Sequence, residues 1–141
     1  MNTPTPLTGK VALVTGGSRG IGAATAAVFA ANGADVAVVG RDRAALDDVA
    51  SRIARDTGRR AIGVIAECTD ARAIGAAVER TAEELGPVDV LAAFAGGGDN
   101  TKTDELSEEK WRAVIDNNLT ATFLTIKAVL PSMHTQKTGS I

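Results

Sequence analysis

Between residues 16 and 22, four of seven positions are glycine, and this cluster restricts what the chain can fold into more than any other feature. The run Thr15-Gly16-Gly17-Ser18-Arg19-Gly20-Ile21-Gly22 follows the apolar stretch Val11 to Thr15 and leads into residues with helical spacing. A strand that turns at once into a helix needs positions without a Cβ where the chain reverses and where helix and strand touch. The helix N-terminus so reached presents bare amides and a positive dipole, which suit a pyrophosphate. A glycine-rich loop alone is often only a tight turn. Its place between strand and helix in a βαβ unit is what gives the motif meaning. It is not a P-loop, because no Lys-Ser or Lys-Thr pair follows the last glycine.

The rest of the chain supplies that context. Apolar runs at Val11 to Thr15, Asp35 to Val39, Ala61 to Ala66 and Val88 to Ala95 alternate with helical patterns. Strands apolar on both faces, separated by helices, predict a parallel sheet in a doubly wound, Rossmann-type α/β domain. Right-handed crossovers give the strand order 3-2-1-4, with a crevice between the first and fourth strands at their carboxyl ends. Residues 1–9 read as a flexible leader and 10–141 as one domain, incomplete after the fourth strand and the long helix behind it. Gly139, Ser140 and Ile141 look like the opening of a fifth strand.

Helical spacing predicts three buried stripes: Ile21, Ala24, Thr25, Val28 and Phe29; Leu46, Val49, Ala50 and Ile53; and Ile74, Ala77, Val78, Thr81 and Leu85. Gly33, Gly58 and Gly86 fall where a left-handed residue closes each helix. A longer pattern through Trp111, Ile115, Leu119, Phe123, Ile126, Leu130 and Met133 predicts a helix over 107–133 with a major packing surface. Ser107 is its expected N-cap, and Glu108 and Glu109 stand in its first turn.

Composition narrows the function classes. At 141 residues, 23% charged and with a net charge of -2, the chain offers no polyanion-binding face, so nucleic acid is not an expected partner. Residues 1–10 lack the basic and apolar regions of a signal peptide, so the protein is expected to be soluble and cytoplasmic, with no membrane partner. One cysteine and one histidine give no zinc cluster. Cys68, after an apolar run, reads as a small buried hydrophobe rather than a nucleophile, and His134 suits a helix C-terminus.

The spacing of Gly16, Gly20 and Gly22 resembles the T-G-x-x-x-G-x-G signature of short-chain dehydrogenases/reductases. Two further stretches resemble that family in order: Val88 to Gly96, like its strand ending in N-N-A-G, and Ile115 to Leu119, like the helix that carries a catalytic Asn. The resemblance spans Leu7 to Ile141. It implies an oxidoreductase that moves hydride between a nicotinamide and a carbonyl or secondary alcohol, a 3-oxoacyl reductase for example. The implied cofactor site comprises Gly16, Ser18, Arg19, Gly20, Ile21, Gly22, Arg41, Glu67, Cys68, Ala95 and Gly96, and Asn118 is the implied holder of a relay water.

Cofactor choice depends on the end of the second strand, where an acidic residue would bind the ribose hydroxyls of NAD. Gly40 stands there, followed by Arg41, and Arg19 lies in the glycine loop. The resemblance makes these arginines a clamp for the 2′-phosphate of NADP(H), in which a guanidinium bonds phosphate at two points. The alternative is that both are solvated and Asp42 serves the ribose, although Asp42 is also placed to cap the next helix. Asn118, three residues after Ile115 and four after Val114, is expected on the inward helix face. There it either serves the relay or satisfies a local backbone group.

The chain departs from the family in three places. Ala93 and Phe94 replace the paired Asn residues, leaving the hold on the fourth strand unexplained, and Phe94 is expected to narrow the nicotinamide side. Glu67 stands where the family has Asp or Asn against adenine. The chain contains no Tyr, so the family's Tyr, Lys and Ser are expected past Ile141 and the 141-residue chain alone is expected to be inactive. A non-catalytic nucleotide-binding or interaction module is the rival reading. A methyltransferase is disfavoured, because the two arginines await a phosphate that S-adenosylmethionine lacks. The apolar face of the last helix predicts a homo-oligomer formed through it.

Overall fold

The computed structural model of the protein describes residues 5–141; the first four residues of the expected leader lie outside them. Strands β1 (Val11–Thr15), β2 (Asp35–Gly40), β3 (Ala61–Ile65) and β4 (Val90–Ala93) are parallel, in the order β3-β2-β1-β4. Alternation along β1 builds two cores. Val11 and Leu13 join one and Ala12 and Val14 the other. Helices α1 (Gly20–Ala31) and α2 (Arg43–Thr57) cover the second face, while α3 (Ala71–Glu84) and α5 (Ala121–Gln136) cover the first. A sheet enclosed on both sides is the expected home of parallel strands.

Local chemistry fixes the element ends. Asp42, Asp70 and Ser107 cap α2, α3 and α4 (Glu108–Ile115) by accepting from backbone amides of the first turn. Gly33, Gly58 and Gly86 close the preceding helices with φ of 98°, 69° and 117°. Residues 6–9, within the expected leader, form turns, and the Leu7 amide donates to the Asn32 carbonyl at 2.9 Å.

Strand β4 is shorter than expected, and its flanks are tied to β1 by further bonds. Before it, the Asp89 carboxylate accepts from the Val11 amide at 2.9 Å and pairs with Lys10 at 3.1 Å. After it, the Phe94 amide donates to the Thr15 carbonyl and the Ala95 amide to Thr15 Oγ1. These bonds, with the β1–β4 ladder, hold the fourth strand without the missing Asn pair. The start of a fifth strand is also present: Ser140 bridges Val90 in parallel, exchanging bonds with Asp89 and Leu91 at 2.9 Å.

One expected stripe is corrected. In α1 the buried residues are Gly22, Ala26 and Ala30, while Ile21 and Val28 are exposed. The helix approaches the sheet so closely that only small residues fit between. The helix expected over 107–133 runs from Glu108 to Gln136, and α4 and α5 are joined by a π-helical turn, Asp116–Thr120. Ala121, Thr125, Val129 and Met133 bury its sheet-facing side. Trp111, Leu119 and Phe123 remain 56%, 66% and 57% exposed, so the larger apolar residues form an outer face that no described residue covers.

Candidate nucleotide-binding site

The glycine loop is built by contacts that exclude side chains. Gly16 has φ of 65°, and a Cβ on it would stand 2.6 Å from the Phe94 carbonyl oxygen; one on Gly22 would collide with the Gly16 carbonyl. The first therefore lets β4 approach the loop, and the second seats α1 against it. Unlike α2, α3 and α4, helix α1 has no side-chain cap, and its first turn holds no acidic residue. Its orphan amides and dipole face a crevice of about 340 Å³. A backbone cradle with uncapped amides fits a phosphate group.

Gly16, Ser18, Arg19, Ile21 and Gly22 line that crevice from the loop. Arg41, Glu67 and Cys68 line it from the ends of β2 and β3, and Ala95 and Gly96 from the end of β4. Of the expected cofactor residues only Gly20 falls outside; it lies in the groove between α1 and α2. Three lining residues were absent from the expected set: Gly40, Ala66 and Phe94. Gly40 had been identified only as a missing acid, and an apolar Ala66 carries no chemical signal of its own.

The charges converge at the strand ends. Arg41 Nη1 lies 3.5 Å from Glu67 Oε2, and Glu67 Oε1 accepts from the Thr69 amide at 3.2 Å. Asp42 accepts from the Ala45 amide, so its carboxylate serves α2. A Cβ on Gly40 would meet nothing closer than 3.5 Å, so the absence of an acid there is a chemical difference and not a steric necessity. Burial, reinforced by the Glu67 charge and opposed by Arg41, pushes the Cys68 thiol up to about 11, and the thiol is buried. The expected inert role fits this environment.

Asn118 departs from its expected position: it is exposed, on the π-helical turn, not on the inward face. Nδ2 donates to the Gly97 carbonyl at 2.7 Å and the Val114 carbonyl at 2.8 Å, while Oδ1 accepts from the Gly97 amide at 3.3 Å. The local backbone is thus satisfied, as the alternative for this residue had it. A Cβ on Gly96 would sit 2.5 Å from Oδ1, so Gly96 and Asn118 need each other's shape.

Comparison with known proteins agrees with this architecture. The short chain dehydrogenase family matches residues 10–141, and the chain belongs to that family. It is 42% identical to a 3-oxoacyl-[acyl-carrier-protein] reductase of Synechocystis sp. over 97% of this chain and 56% of that protein. A cyclohexanol dehydrogenase of Rhodococcus sp. is 38% identical over 96% of this chain and 56% of its own length. The L-sorbose reductase of Gluconobacter frateurii, solved with NADPH and L-sorbose, superposes with a TM-score of 0.90 at 30% identity, covering 97% of this chain and 52% of that one. The chain therefore spans about half the length of the relatives it matches.

Proposed function

We propose that the chain carries the NADP(H) site of an oxidoreductase acting on a small carbonyl compound or secondary alcohol, in the manner of a 3-oxoacyl reductase. The observation that carries this reading is that Arg19 and Arg41 line one crevice with the uncapped start of α1, at a strand end where Gly40 replaces an acid. Bound there, the nicotinamide supplies or accepts the hydride.

The chain's own residues bind and orient. Amides of the loop from Gly16 to Gly22 hold the pyrophosphate, with Ser18 beside them, and the guanidinium groups of Arg19 and Arg41 hold the 2′-phosphate. Glu67 and Cys68 border the adenine side. The backbone of Ala95 and Gly96 flanks the nicotinamide, with Phe94 as the wall that narrows it. Asn118 keeps one lone pair of Oδ1 beyond its bond to Gly97, and this is where a relay water would donate. No residue in the chain is a Tyr, so the proton for a reduced carbonyl is not supplied from these 141 residues by the family's route. We also propose that a second copy covers the outer face of the helix from Glu108.

The site is tested with Arg41→Ala. The reading expects NADPH binding to weaken about tenfold, equivalent to ~1.4 kcal/mol, with NADH nearly unchanged. A variant that weakens both cofactors alike would remove Arg41 from the 2′-phosphate.

A further inference from the structure

We propose that Glu67 determines cofactor specificity by acting as a counter-ion to Arg41, holding down the preference for a 2′-phosphate. The inference rests on the reading of Arg41 given above, and goes beyond it by assigning an opposing charge.

Glu67 lies two residues past the end of β3, and Arg41 directly follows β2, its neighbour in the sheet. The two side chains meet at the crevice with Nη1 and Oε2 3.5 Å apart. The carboxylate is not free to swing away, because its other oxygen accepts from the Thr69 amide at 3.2 Å. Arg41 is the looser partner, with a side chain 76% exposed against 42% for Glu67. A phosphate reaching Arg41 therefore meets a fixed negative charge beside its cation.

Two effects of opposite sign follow from that carboxylate. It orders Arg41, which helps binding, but an exposed ion pair of this kind orders weakly. It also repels a phosphate that carries between one and two negative charges at neutral pH, and at contact distances well below the Debye length of about 8 Å at physiological salt such a repulsion is only partly screened. Repulsion outweighs ordering. Glu67→Gln keeps the shape and the acceptor for Thr69 while removing the charge, so it separates the two effects.

The test uses the full-length protein and two probes, 2′,5′-ADP and 5′-AMP, which differ only by the 2′-phosphate. Calorimetry on wild type, Glu67→Gln, Arg41→Ala and the double variant forms a cycle. Glu67→Gln is expected to tighten 2′,5′-ADP about threefold to tenfold, a change on the scale of one charge pair near a surface. It should leave 5′-AMP within about twofold, and the gain should vanish in the Arg41→Ala background and shrink in high salt. The inference is overturned if Glu67→Gln weakens 2′,5′-ADP, if it changes both probes equally, as loss of an adenine contact would, or if the gain survives without Arg41. Its fate is separable from that of the parent reading: wild type binding both probes equally sinks an NADP(H) site. A gain in Glu67→Gln that needs Arg41 would still uphold the counter-ion role in that case.

Discussion

Gly40 and Arg41 stand at the end of β2, on the wall of the crevice proposed to take the cofactor, and each can be altered without disturbing the sheet. Because a Cβ at Gly40 has ordinary clearance, Gly40→Asp should fold and should move preference toward NADH, by repelling a 2′-phosphate and accepting from the ribose hydroxyls. Cofactor affinities measured on this variant check it; an unchanged ratio would mean that this strand end does not face the ribose. Cys68 makes a pH prediction. Its buried thiol keeps a proton up to about 11, whereas an unfolded thiol loses it near 8.5, so the unfolded state gains as pH rises. The stabilisation is intact below about 8.5 and is lost toward pH 11, by roughly 1–3 kcal/mol relative to Cys68→Ala, as denaturant unfolding at both pH values would show. As crevice-lining positions, residues with a chemical signature were legible from sequence, namely Gly16, Gly22, Arg19, Arg41 and Glu67, and so was the Asp42 cap. Asn118 was legible as a residue to single out but not in its orientation, because a π-helical turn depends on neighbours that a 3.6-residue period does not reveal.

Helices α2 and α3 bury the stripes their large apolar residues predict, α1 does not, and α5 fully buries only Met133 of its long pattern. The difference lies in how near each helix comes to the sheet. α1 meets it through Gly22, Ala26 and Ala30, and the sheet-facing side of α5 includes Ala121 and Thr125, residues that a search for bulky apolar spacing passes over. Buried Thr125 satisfies its hydroxyl on the Ala121 carbonyl at 2.8 Å, so polarity is no bar to that position. The close approach predicts that Ala26→Leu is overpacked and destabilising by about 1–3 kcal/mol. Exposed Val28→Ala should change stability by less than about 0.5 kcal/mol. Thermal or denaturant unfolding of the two variants tests this, and a larger loss from Val28→Ala would mean that α1 is rotated relative to this account.

Strand order, both cores and the place of the crevice follow from handedness rules and alternation, which is why the whole architecture was legible where single helix faces were not. Two expectations belong to the entire chain. The outer face bearing Trp111, Leu119 and Phe123 should drive association of the 141-residue chain, measured by light scattering; a concentrated monomer that binds no hydrophobic dye would contradict it. The same 141 residues should also be catalytically silent toward a carbonyl panel, since a positioned acid typically contributes about 10² to 10⁴ in rate and the chain has no Tyr. Turnover by purified chain would relocate the chemistry, whereas binding without turnover in the full-length protein would favour a non-catalytic nucleotide-binding module. The crevice at the start of α1 is proposed to take a 2′-phosphorylated dinucleotide. Side-by-side calorimetric titration of NADPH and NADH into the full-length protein tests it most directly. NADPH is expected to bind at least about tenfold tighter; equal affinities or a preference for NADH would rule out a 2′-phosphate clamp at Arg19 and Arg41.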